Sequence, residues 1–197
     1  MLELRKGTAF LITGTPGTGK TTISRLLAKK LHASYLNPKT LSRREGIDYT
    51  YDRKRGTRVV SLKRLRQALS EYAARADNGM VIDSHITLET GSDPMFVRAI
   101  VVRCDPVILE RRLKHRRWSK SKIGENLLAE ILDVCLWDAV RSYGWNRILE
   151  IDATGKRPHH VVQLAMRDLK RRRIQKHSKV DWLSSLKCRM IISKYAR

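Results

Sequence analysis

The chain has 197 residues, 42% of them hydrophobic, which suits one globular core with small inserted segments and excludes a disordered or fibrous chain. Its formal charge of +22, from 41 Lys and Arg against 19 Asp and Glu, favours polyanionic partners such as nucleic acid over a role confined to small metabolites. Cys104, Cys135 and Cys188 are far apart and form no C-x-x-C pair, which argues against a disulfide framework or zinc site and for a reducing, cytoplasmic setting; no run approaches the ~20 apolar residues of a membrane span.

The first element in chain order is the apolar run Ala9-Phe10-Leu11-Ile12, which reads as a buried strand. Arg5 and Lys6 before it give a superficial targeting-signal pattern, but the run ends at once in a phosphate loop and belongs to the core. That loop, Gly14-Thr15-Pro16-Gly17-Thr18-Gly19-Lys20-Thr21, fills every fixed position of G-x-x-x-x-G-K-[ST] between a strand and a helical pattern (Ile23, Leu26, Leu27, Leu31). Its glycines let backbone N–H groups and the positive helix end converge on a phosphate chain. Lys20 is placed for the β- and γ-phosphates and the Thr21 hydroxyl for Mg²⁺.

The helix over about 20–31 is followed by a short strand near 34–36, which Asn37-Pro38 ends. Residues 38–60 show no clean periodicity and read as a functional insertion. Leu62, Leu65, Leu69 and Tyr72 mark a helix that stops at Asp77-Asn78-Gly79. Met80-Val81-Ile82-Asp83 is a second parallel strand with a carboxylate at its C-terminal edge, where open α/β sheets bind ligands. Asp83 is therefore a candidate for orienting Mg²⁺, directly or through water, and His85 for positioning a hydroxyl or water in the same crevice.

A third strand runs over about 99–103, and Asp105-Pro106 opens the next helix. Its Arg111, Arg112, Arg116 and Arg117 suit phosphate, because a guanidinium makes paired charge-assisted bonds that a closing lid can deliver. One amphipathic helix is predicted over 124–143, with Trp137 packing. A last strand lies near 148–151, and a long helix runs from Pro158 to about Gln175. His159-His160 reads as surface, and the segment from Asp181 to Ile192 carries short apolar patches that dock on the domain or on a partner. Positive charge is concentrated at 53–66 (+7), 111–122 (+7) and 167–197 (+9), which leaves the remainder close to neutral.

With these elements in place, the chain resembles the adenylate kinase isoenzyme 6 family of small-subunit ribosome assembly, from about Leu11 to about Leu169. The likeness is carried by Thr13 to Thr22, by Asp83-Ser84-His85 against the family's D-x-H, by Glu110 to Trp118 against E-R-L-x-x-R-G-Y, and by Glu125-Asn126 with Ala129-Glu130-Ile131. It implies an α/β three-layer P-loop nucleoside-monophosphate-kinase-like fold with a five-stranded parallel sheet. The kinase domain would span 1–176, with a monophosphate-binding insertion at about 37–60, a lid at about 115–125 and a basic tail at 177–197. It implies Mg·ATP on Gly14, Gly17, Gly19, Lys20, Thr21 and Thr22 with Arg116 as lid arginine, metal at Thr21 and Asp83, and His85 tied to hydrolysis. Asn37 and Arg43, at the start of the insertion, are its candidate AMP-binding residues. Implied partners are AMP or another monophosphate, a small-subunit ribosomal protein and ribosomal RNA. The chain departs from the family at Arg53-Lys54-Arg55, where acids are common, at Ser61 in place of Asp, and at Arg117 in place of the Gly of R-G-Y.

Two functions follow. One is a kinase moving the γ-phosphoryl of ATP to AMP or a related monophosphate, with Lys20, Asp83, His85 and Arg116 as its chemistry and ATP hydrolysis beside it. The alternative is an RNA- or ribosome-binding ATPase switch with little free kinase activity, which the clustered charge motivates. The absence of an Asn-Lys-x-Asp tetrapeptide argues against a GTPase.

Overall fold

The computed structural model describes residues 4–47, 49–52, 57–85, 96–170 and 176–195. β1 (Ala9–Thr13) leads through the phosphate loop into α1 (Lys20–Leu31) and β2 (Ser34–Leu36). Then come α2 (Pro38–Arg44), the paired strands β3 (Tyr49–Asp52) and β4 (Thr57–Val60), α3 (Leu62–Arg75) and β5 (Met80–Asp83). β6 (Phe96–Arg103), α4 (Pro106–His115), α5 (Lys120–Ile131) and α6 (Val134–Tyr143) follow. β7 (Ile148–Asp152), α7 (Pro158–Lys170) and α8 (Leu186–Tyr195) complete the order.

Five strands form one parallel sheet in the order β2-β5-β1-β6-β7. Such a sheet is covered on both faces, so its strands read as continuous apolar runs rather than alternating ones. Phe10, Leu11, Ile12, Ile100 and Val101 are accordingly all buried. Leu11 and Val101 join Leu41 of α2, Leu69 of α3 and Leu136 of α6 on one face. Phe10, Ile12 and Ile100 join Leu27 of α1 and Ala165 of α7 on the other. The result is the expected three-layer α/β architecture. A third apolar cluster gathers Leu109 and Leu113 of α4, Leu127 and Ile131 of α5, and Cys188 and Ile191 of α8.

Several expectations need correction. Within 38–60, where the sequence shows no clean periodicity, the described residues form α2, which Asn37 caps by accepting from the Lys39 and Thr40 amides at 3.0 and 3.4 Å, and β3 paired antiparallel with β4. Seven residues of helix and two four-residue strands are too short to show a period. The predicted helix over 124–143 is two helices, broken where Asp133 adopts a left-handed φ of 57°. Apolar spacing continues through that break, so periodicity could not reveal it. α7 is described to Lys170, and the rest of its predicted length lies outside the described residues. Trp137, expected to pack, is 50% exposed and meets Trp145 edge to face with ring centroids 5.7 Å apart. His159 and His160 are exposed, as expected.

The junction between α4 and α5 is short. Arg116 ends α4, and Ser119 caps α5 by accepting from the Lys122 amide at 3.3 Å. Arg117, standing where the resembled family carries Gly, has φ of 56°, a left-handed conformation that costs a side-chain-bearing residue about 1–2 kcal/mol. The segment after 176 is docked on the domain: Tyr195 packs over Gly124, where a Cβ would lie 2.8 Å from the ring.

Candidate nucleotide site

β1 lies at the centre of the sheet, flanked by β5 and β6, and the chain leaves it in a loop that α1 continues. This is the edge at which parallel sheets gather ligands. Two glycines make the loop possible. Gly14 has φ of 139°, and a Cβ there would run into the Val102 carbonyl of β6. Gly17 has φ of 101°, and its Cβ would lie 2.7 Å from Leu109 Cδ1. Gly19 caps α1, which places Lys20, Thr21 and Thr22 in the first turn at the positive helix end. Thr18 Oγ1 is buried in the loop without a hydrogen-bond partner among the described residues, a hydroxyl that a bound anion could engage.

Asp83, at the end of β5 and 2% exposed, stands opposite the loop. Its Oδ2 accepts from Thr21 Oγ1 at 2.7 Å, from Tyr35 OH at 3.0 Å and from Asn37 Nδ2 at 3.3 Å. Asn37 Nδ2 also donates to the Asp83 carbonyl at 3.1 Å. These donors come from α1, β2 and the residue after β2, all fixed by the neighbouring strand pairing. The Asp83 carboxylate raises the Tyr35 phenol, after the desolvation that is the larger cause. Burial pushes the Lys20 ammonium below its ordinary value against the opposing pull of Asp83. His85 is exposed at the rim, and partial desolvation followed by the Lys20 charge lowers its imidazole below the ordinary 6.5.

The predicted set is therefore largely brought together. Thr21 is bonded to Asp83, and the charges of Asp83 and Arg116 act on Lys20 as those of Lys20 and Asp83 act on His85. Arg116 also lines a cavity of about 260 Å³ together with Gly17, Gly19, Thr22, Arg112, Ala153, Lys156 and Pro158. Asn37 is committed to Asp83 and to the α2 cap. Arg43 lies exposed on α2 and makes no hydrogen bond to the Asp83 group among the described residues. Sequence reasoning missed Tyr35, which carried no signal, and the particular task of Arg112. The Arg112 Nη1 donates to the Gly17 and Thr18 carbonyls at 3.3 Å each, so it braces the phosphate loop itself.

A hydroxyl and a carboxylate converging at 2.7 Å are hard oxygen donors of the kind magnesium takes alongside substrate phosphates and water. Among the described residues no group of three or more His, Cys, Asp and Glu side chains could hold a metal alone, so a cation here would draw on ligand oxygens as well. No helix among the described residues is long and apolar enough to cross a membrane.

A family model described as an AAA domain matches residues 11–133. Two archaeal proteins, each named "Putative adenylate kinase", align over most of the chain. The one from Thermococcus kodakarensis is 34% identical over 172 residues, covering 87% of this chain and 90% of the relative. That from Natronomonas pharaonis is 36% identical over 152 residues, covering 77% and 84%. Among solved structures, a shikimate kinase from Bacteroides thetaiotaomicron has a TM-score of 0.55 at 20% identity, over 83% of this chain and 98% of that one. A gluconokinase from Sinorhizobium meliloti 1021 has a TM-score of 0.50 at 16% identity, over 85% and 94%. At such identities the likeness concerns the fold alone.

Proposed function

The chain belongs to the AAA-domain family and to the adenylate-kinase-like family of its archaeal relatives, and from that premise we propose that it transfers the γ-phosphoryl of ATP to AMP or a related nucleoside monophosphate, with ATP hydrolysis beside the transfer. The observation that carries the reading is the meeting of Thr21 with Asp83 under the glycine loop, beside Lys20. Phosphoryl transfer asks little covalent chemistry of a protein; positioning and charge stabilisation supply the rate.

The loop N–H groups and the end of α1 would hold the phosphate chain, and Lys20 would offset charge on the β- and γ-oxygens. Thr21 and Asp83, with nucleotide oxygens, would hold Mg²⁺, whose chemistry is to neutralise charge across the β- and γ-phosphates. Tyr35 and Asn37 keep the Asp83 carboxylate turned toward Thr21. The cavity between Arg116 and the loop after β7 has room for the nucleoside side of ATP, and Arg116 would cover it as the α4–α5 junction closes. His85, at the crevice rim, would orient the accepting hydroxyl or a water. The insertion at 37–60 would take the monophosphate.

A second reading, an RNA- or ribosome-binding ATPase switch with little free kinase activity, is supported by the three segments that carry +7, +7 and +9, since phosphate contacts dominate nucleic-acid affinity. The discriminating measurement is ATP turnover with and without AMP, with ADP and free phosphate measured separately and then again with ribosomal RNA added. ADP formation that needs AMP and releases no phosphate establishes the kinase. Phosphate release indifferent to AMP and raised by RNA establishes the ATPase.

A further inference from the structure

The same sheet edge carries a second polar assembly, buried except for the partly exposed Asp133. Arg103, the last residue of β6, is 1% exposed. Its Nε donates to Glu130 Oε1 at 2.9 Å, its Nη1 to Glu150 Oε1 at 2.6 Å, and its Nη2 to the Glu130 carbonyl at 2.9 Å and to the Asp133 carboxylate. One guanidinium thus faces three carboxylates. Apolar packing can replace a buried ion group of this kind without loss of stability, so its presence invites a role beyond holding the fold together.

Glu130 supplies that role. Its Oε1 accepts from Arg103 Nε, from the Cys104 amide at 3.0 Å and from Trp182 Nε1 at 3.4 Å. Its Oε2 accepts from Thr15 Oγ1 at 2.5 Å. Thr15 is the second residue of the phosphate loop, fully buried, and its carbonyl accepts from the Thr18 amide at 3.2 Å. The loop, β6 and the C-terminal segment therefore meet on one carboxylate. That segment also closes over Glu150, which accepts from Ser178 Oγ at 3.2 Å and from the Lys179 amide at 2.6 Å.

We propose that Glu130 is a positioning residue for nucleotide binding: through Thr15 it fixes the loop backbone in its phosphate-accepting form, and the C-terminal segment secures it through Trp182. The inference rests on the ATP site proposed above. A loop that is correctly shaped only part of the time binds more weakly in proportion to that fraction, so loosening Thr15 lowers affinity even though its side chain touches no phosphate.

The test measures direct ATP binding to the full chain and to Thr15→Val, Thr15→Ser and Trp182→Phe, with ligand-free thermal unfolding as the stability control. Thr15→Val keeps the shape and removes a charge-assisted donor, so its ATP Kd should rise about fivefold or more. Thr15→Ser keeps the hydroxyl and should stay within about twofold of the parent. Trp182→Phe loses a longer bond, and its Kd should rise about twofold to threefold; it decides the matter should Thr15→Val not fold. Parent-like ATP affinity in Thr15→Val, whatever its unfolding temperature, would overturn the proposal. So would Thr15→Ser binding as weakly as Thr15→Val, or parent-like affinity in Trp182→Phe when Thr15→Val is unfolded. A parent that does not bind ATP removes the nucleotide site together with this role, whereas a parent that binds alongside indifferent variants removes only the role of Glu130.

Discussion

The Asp83 group and the Arg103 group both stand at the C-terminal edge of one parallel sheet, on strands that flank β1, yet they are completed in different ways. Asp83 is a single carboxylate held by three neutral donors, Thr21, Tyr35 and Asn37, with Lys20 nearby and no ion pair to it among the described residues. Arg103 is matched internally by Glu130, Asp133 and Glu150 and lies almost wholly out of water. The first arrangement leaves its charge for a ligand to complete. The second leaves nothing for a ligand and serves as the footing on which the loop rests. Buried charge alone therefore does not mark a binding site; what matters is whether the protein already satisfies it.

The largest effect that would break this contrast is on the sealed side. Arg103→Met removes the guanidinium that pairs with three carboxylates, and loss of one partner from such a group costs about 3–5 kcal/mol of stability. Urea unfolding at neutral pH would show it, and an unfolding free energy within about 1 kcal/mol of the parent would contradict the pairing. Lys20→Ala strikes the open side and should do the reverse. Removing one preorganised charge from a transferring group lowers kcat about 10²- to 10³-fold, or about 2.7–4 kcal/mol. Stability should barely change, because burial already disfavours this ammonium. Turnover retained in Lys20→Ala would remove it from the site.

How much of this was legible in the sequence depends on whether a feature is local. The phosphate loop, the strand ending in Asp83 and the Asp105-Pro106 helix start each reside in a few consecutive residues; the separate strands are legible in short segments, and their joining into one five-stranded parallel sheet is what the family resemblance implies. Asp105 does cap α4, accepting from the Val107 amide at 2.7 Å. Tyr35, Arg112 and the Arg103 group depend on contacts between residues far apart in the chain. The bond from Thr15 to Glu130 spans 115 positions. Glu130 stands in the Ala129-Glu130-Ile131 stretch that carries the family resemblance, but its bond to the loop leaves no local trace, and Asp133 hides a helix break because the apolar residues on either side keep their spacing. The C-terminal segment illustrates the same limit. Its short apolar patches leave open whether it docks on the domain or on a partner; its Trp182, Cys188, Ile191 and Tyr195 pack against the cluster of α4 and α5, and Lys194 and Tyr195 both donate to Glu110 at 2.7 Å.

The smallest expected effect belongs to His85, and it sharpens the open side of the contrast through pH. Desolvation and then Lys20 hold its imidazole below 6.5, so the neutral ring that can accept a proton or orient a hydroxyl persists to more acid pH than an ordinary histidine would allow. The acid limb of kcat/KM, which reports the free enzyme, should therefore have its midpoint below 6.5. His85→Gln should lose that limb and about tenfold in rate, the equivalent of one hydrogen bond at about 1.4 kcal/mol. The linkage to stability has the same direction. Between the lowered folded value and 6.5 the unfolded chain binds more protons, so the His85 contribution is complete above 6.5 and is lost as pH falls through the folded value. A kcat/KM profile whose acid limb lies above 6.5, or survives in His85→Gln, would assign the titration to another group and leave Lys20, Thr21 and Asp83 to carry the chemistry without it.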